Sequence, residues 1–137
     1  MIFLDTNILL YAVSTDPTER DKAAVARALL DRSDLSLSVQ VLQEFYVQAT
    51  RPSRDGALTH DQATALVESF RRFPIEPLTA DLVTQAMTTR ARYQISYWDA
   101  AIIEAARAAG CRAVLSEDLN DGQVYGSVRV ENPFRPG

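Results

Sequence analysis

The chain opens with MIFLDTN (Met1–Asn7), and the fold turns on how this stretch is read. Met1 to Leu4 are apolar, a run too short for a helix and suited to a strand covered on both faces. Asp5 stops the run, and NILLYAV after it fits a brief helical turn. A carboxylate at the end of a buried strand is costly unless something satisfies it. The opening therefore asks what meets Asp5 there.

The rest of the chain alternates. Asp16, with Pro17 at the first helical position and Glu19 behind it, predicts a capped helix carrying Ala23, Ala24, Ala28 and Leu29 on one stripe. LSLSV (Leu35–Val39) is a second strand, and VQVLQEFYVQAT continues as a helix to about Thr50, ahead of Pro52. Thr59 and Gln62 predict a helix to Phe73, and IEPL is a third short strand, weakened by Pro77. Thr79 caps a helix through about Arg92. Ser96 with Asp99 starts YWDAAIIEAARAAG, closed by Gly110. RAVLS (Arg112–Ser116) is a fourth strand and VRVEN (Val128–Asn132) a fifth, at an edge. EDLNDGQVYG between them is a polar loop. Strands alternating with helices predict one α/β domain over residues 1–137, with a parallel sheet and right-handed crossovers. Ligands in such sheets bind beyond the carboxyl ends of the strands, where the strand order reverses.

Composition sets limits. With 47% apolar and 23% charged residues the chain can bury a core. A formal charge of −4 excludes a basic nucleic-acid coat but not an enzyme that meets nucleic acid through a cation. A single cysteine, Cys111, excludes an internal disulfide and points to a reducing compartment. No basic leader precedes the first apolar run, and no run reaches the ~20 residues of a membrane helix. A cytoplasmic location is expected.

Four acids fall where this topology converges. Asp5 ends the first strand, and Asp118 follows the fourth. Glu44 lies on the helix after the second strand, among Val41, Leu42, Phe45, Tyr46 and Val47. Asp99 lies in the first turn of the helix before the fourth strand. Each has a plain structural reading: Asp5 as a cap, Glu44 as a solvated helix residue, Asp99 as the third position of a capping box, Asp118 as a loop acid. Their conjunction favours a shared cation, and an all-oxygen donor set suits Mg²⁺ or Mn²⁺. The matching chemistry is phosphodiester hydrolysis. Asp121, in an Asp-Gly turn, competes with Asp118 as the fourth acid, while Glu117 points away if Asp118 points in. His60 caps a surface helix. Arg51, Arg54, Arg90 and Arg92 are candidate phosphate contacts.

The blocks FLDTNILLYA, VQVLQEFYVQATR, YWDAAIIEAARAAGC and VLSEDLNDGQ, in this order, resemble the PIN-domain family, specifically VapC-type toxin ribonucleases of bacterial toxin–antitoxin pairs. The resemblance implies a PIN-like three-layer α/β/α fold with a parallel sheet of order 3-2-1-4-5. It implies an acidic site of Asp5, Glu44, Asp99 and Asp118, with metal held by Asp5, Asp99 and Asp118. Thr6, Asn7, Ser116 and Asp121 support that site, Asn7 by orienting Asp5 or a metal water. It further implies an RNA substrate, Mg²⁺ or Mn²⁺, a homodimer and a small antitoxin partner. Two rivals remain. A phosphoacceptor receiver needs a lysine near a late strand, and the only lysine, Lys22, is in the first long helix. A non-catalytic acidic module would bind a basic peptide and ignore divalent ions.

Overall fold

The computed structural model describes residues 1–135. Its centre is β1 (Ile2–Leu4), flanked by β2 (Leu35–Ser38) and β4 (Ala113–Leu115), both parallel to it. Outward from β2 lies β3 (Ile75–Glu76), and outward from β4 lies β6 (Val128–Glu131), again parallel. A two-residue strand, β5 (Val124–Tyr125), runs antiparallel to β6 and forms that edge. The order is β3-β2-β1-β4-β6-β5. The expected 3-2-1-4-5 arrangement holds for the parallel strands, but the fifth of them, VRVE, is interior. The supposed polar loop supplies the edge.

The central strands are apolar along their whole length because they are covered on both faces; Phe3, Leu4, Leu35, Leu37 and Val114 have no measurable exposure. Each such side chain contributes roughly 1.5–3 kcal/mol relative to leaving it in water. The helices are α1 (Thr6–Ala12), α2 (Arg20–Leu29), α3 (Val39–Ala49), α4 (His60–Phe70), α5 (Ala80–Tyr93) and α6 (Tyr97–Ala108). Alpha6 crosses β2, β3, β4 and β6 with α5 packed along it, and α1 packs on α2 and α3. Alpha6 is buried from Ala100 to Ala106; its alanines admit close neighbours on every side. Glu104 is therefore buried too. Thr89 Oγ1 donates to it at 2.8 Å and Arg107 grips it with a fork. Arg107 also donates to the Tyr125 carbonyl, which ties the edge hairpin to α6.

Two helix ends differ from expectation. Pro17–Glu19 form a separate 3₁₀ turn capped by Asp16, and α2 begins only at Arg20, because the Glu19 carboxylate accepts from Ser14 Oγ at 2.6 Å instead of closing a capping box. Alpha4 ends at Phe70, not Phe73; Phe73 is buried from the turn beyond it, so the apolar spacing outruns the helix. Ser38 is both the last residue of β2 and the cap of α3, accepting from Val41 N at 3.3 Å, so the strand stops one residue short of the expected Val39.

Candidate active site

The carboxyl ends of β1 and β4 lie side by side at the point where the strand order reverses. Asp5 N donates to the Leu115 carbonyl at 3.0 Å, which sets Asp5 beside Ser116. Both are buried: Asp5 is 8% exposed and Ser116 is 0%. Asp5 Oδ1 accepts from Thr6 N, so it caps α1, and Oδ2 accepts from Ser116 Oγ, both at 2.7 Å. The capping reading and the site reading of Asp5 are thus compatible.

Asp5 opens onto a cavity of about 90 Å³, also lined by Thr6, Asn7, Gln40, Glu44, Trp98, Asp99 and Asp118. A single water needs roughly 15 Å³ by the same measure, so an ion with some of its hydration fits. The four acids predicted from sequence share this wall. Glu44 arrives from the exposed-to-buried flank of α3, where Gln40, one turn earlier, donates to its Oε1 at 3.0 Å. Thr6 Oγ1 reaches the same oxygen at 3.4 Å. Asp99 sits in the first turn of α6, where Ser96 Oγ accepts from its backbone N–H. Asp118 is held by Asn7, whose Nδ2 donates to Oδ2 at 3.0 Å.

Asn7 therefore orients Asp118, not Asp5; the residue that orients Asp5 is Ser116. Ser116 Oγ also accepts from Asp118 N at 3.2 Å and from Asn7 Nδ2 at 3.4 Å, so one hydroxyl links three members of the site. Asp121 does not line the cavity. Its Oδ1 accepts from Asn132 N at 2.9 Å and its Oδ2 lies 3.7 Å from Arg135, an arrangement that pins the end of β6. Glu117 turns away as expected, onto Tyr11 and Lys22. His60 bonds Tyr46 through Nδ1 and takes no part. Gln40 and Trp98 are wall residues that were not singled out; the Gln40–Glu44 spacing of one helical turn was the readable signal for the first.

The electrostatics of this wall are unfavourable to full ionisation. Burial pushes the Asp5 carboxyl up to about 6; the hydrogen bonds from Ser116 and Thr6 act against this, and the nearby Glu44 and Asp118 charges add to it. Burial also raises Asp99, with Ser96 opposing and the Asp118 charge reinforcing. Among the described residues no three His, Cys, Asp or Glu side chains converge closely enough to grip an ion as they stand. Even so, the donor chemistry fits a hard divalent cation: carboxylate oxygens only, mutually repelling, beside a water-sized space.

A second cavity of about 150 Å³ adjoins the first through Asn7, Leu10 and Asp118, and adds Tyr11, Glu19, Glu117 and Arg54. Arg54 reaches it from the loop after α3. Gly56, at φ +70°, lets that loop approach the segment between α1 and α2 so closely that a Cβ would stand 2.9 Å from Thr15 Oγ1. Of the four arginines named from sequence, Arg54 alone lines either cavity, and it has no ion pair among the described residues. Among the described residues, no helix is long and apolar enough to cross a membrane.

Residues 2–124 match the PIN domain family. No curated protein sequence matches the chain. Several solved structures do. The Mycobacterium tuberculosis VapC20 toxin, described as cleaving the sarcin–ricin loop, is 24% identical with a TM-score of 0.67, covering 86% of this chain and 90% of its own. A toxin–antitoxin complex from Klebsiella pneumoniae is 18% identical with a TM-score of 0.73, covering 99% and 100%. A DNA-bound VapBC from Salmonella typhimurium is 20% identical with a TM-score of 0.66, covering 96% and 97%. At these identities the likeness is one of fold.

Proposed function

Because the chain belongs to the PIN-domain family, we propose that its acidic cavity is the active centre of a divalent-metal-dependent endoribonuclease, the toxin of a type II toxin–antitoxin pair. The observation that carries this reading is the shared wall: Asp5, Glu44, Asp99 and Asp118 come from four separate parts of the chain and line one cavity. The raised Asp5 carboxyl adds support: burial lifts it, the Glu44 and Asp118 charges add to the rise, and a bound cation would favour its charged form.

In this reading Asp5, Asp99 and Asp118 hold Mg²⁺ or Mn²⁺. When bound, the ion would polarise the scissile phosphate and lower the pKa of the attacking water. Glu44 is the proton acceptor. Gln40 and Thr6 both bond its Oε1, which leaves Oε2 without a partner among the described residues. Thr6, Asn7, Gln40 and Ser116 fix the acids, and Arg54 takes a flanking RNA phosphate. The same reading treats residues 1–137 as one PIN domain, working in the cytoplasm as a homodimer and silenced by a small antitoxin. The neighbours crystallised as toxin–antitoxin complexes are the analogy for that partner.

The test is cleavage of structured RNA by purified protein with Mn²⁺. Native protein should cut and Asp5→Asn should not; equal cutting by both would remove the assignment. A second reading takes the lack of a convergent trio at face value. There the acids only recruit a basic peptide, and divalent ions leave the melting temperature unchanged.

A further inference from the structure

Trp98 is the only tryptophan in the chain, and at 64% it is the most exposed large apolar side chain among the described residues. Indoles are mostly buried in folded proteins, so its position calls for a reason. It stands on the wall of the acid cavity, next in sequence to Asp99. It is also braced. The Tyr97 ring, packed on the core, meets the indole edge-on at 5.0 Å and 83°. The Trp98 carbonyl accepts from Gln40 Nε2 at 3.3 Å, the same amide that holds Glu44. The Trp98 backbone thus keeps a fixed relation to Glu44 and Asp99, and the Tyr97 ring braces the indole beside them.

A cavity so acidic offers a nucleic acid little direct attraction. An aromatic face beside it supplies uncharged affinity, because every base has a face that stacks on it. We propose that Trp98 is the stacking platform for the nucleobase next to the phosphodiester that the acids attack. This rests on the RNA-cleaving reading above. Inside a duplex both faces of a base are covered by its neighbours, so the platform admits only an unpaired nucleotide. Trp98 then restricts cutting to single-stranded segments and loops.

The lone tryptophan makes the test direct, because its emission has one source. Asp5→Asn protein with Mg²⁺ is titrated with a short unstructured RNA and with an RNA duplex of equal length. Saturable quenching by the unstructured strand and little by the duplex is expected. In the otherwise native protein, Trp98→Ala should raise KM by about 5- to 150-fold, which corresponds to the ~1–3 kcal/mol of one stacked base, with kcat changed far less. Trp98→Phe should recover most of the loss. An unchanged KM in Trp98→Ala, or equal quenching by duplex, would overturn the platform while leaving the acid cavity as the cutting site. A blue shift that grows with protein concentration in the absence of RNA would seat a second copy of the chain on Trp98 and overturn it as well. Quenching by unstructured RNA with no metal-dependent cutting by native protein would sink the nuclease reading and with it the placement beside a scissile bond, leaving Trp98 as an RNA-binding surface only.

Discussion

Asp5→Asn should make the metal-free protein more stable at neutral pH, although it removes a central acid. The Asp5 carboxyl rises from an ordinary 3.8 to about 6 in the fold, chiefly through burial. An acid whose pKa is higher folded than unfolded resists folding once it is deprotonated. The penalty is absent below about pH 4, grows between pH 4 and 6, and is complete above about pH 6. A rise of about two units corresponds to roughly 3 kcal/mol at neutral pH. Asparagine removes that penalty but loses part of the hydrogen bonding. Its oxygen can still accept from Thr6 N, yet its amide cannot accept from Ser116 Oγ, and stranding that hydroxyl costs about 1–2 kcal/mol. The net gain is about 1–2 kcal/mol, or about 4–7 °C in melting temperature for a chain of this length. Thermal melts of both proteins in chelator across the acid-to-neutral range provide the assay. Their difference cancels the carboxylates that do not interact with Asp5, leaving only Asp5 and the charges it feels from Glu44 and Asp118. The variant should melt higher at neutral pH, with the gap closing as the pH falls and reversing near pH 4, where only the lost Ser116 bond remains. A variant that melts lower at neutral pH, or a gap indifferent to pH, would refute the claim that Asp5 is held against its charge.

Further expectations concern the same wall. Mg²⁺ or Mn²⁺ should stabilise the native protein by about 2.7 kcal/mol at a hundredfold excess over Kd, read as a higher melting temperature, and Asp99→Asn should lose much of that shift in the same melts. Ser116→Ala, at a position with no exposure, leaves Asp5, Asn7 and the Asp118 N–H short of a partner; urea unfolding should show a loss of about 1–3 kcal/mol. Arg54→Gln should raise KM, leave kcat nearly unchanged, and flatten the salt dependence of RNA binding by a slope of about 0.7.

Much of the site was readable because strand ends and caps are local signals. Asp5 breaks an apolar run, Ser96 announces the turn that carries Asp99, and Glu44 interrupts an apolar helix. Topology did the rest, since parallel strands gather their carboxyl ends at one edge. The errors arose where partners are chosen in three dimensions. Whether Asn7 faces Asp5 or Asp118 depends on how the Ser116–Asp118 segment curls back over β1, which no spacing encodes. Strand β5 has two residues, too few for any periodicity, and forms only because its hairpin meets β6 and the Arg107 guanidinium. Glu19 looked like a capping residue, but Ser14, five residues earlier, captured its carboxylate. Phe73 kept the spacing of α4 while the backbone had already turned.

Both margins of the sheet are two residues long. On one side Pro77 follows Ile75–Glu76 directly; on the other Val124–Tyr125 is fastened down by a guanidinium. Neither ribbon is long enough to template another chain, which protects the protein from edge-to-edge fibre growth. Whatever assembles with it is thereby directed to its helical flanks.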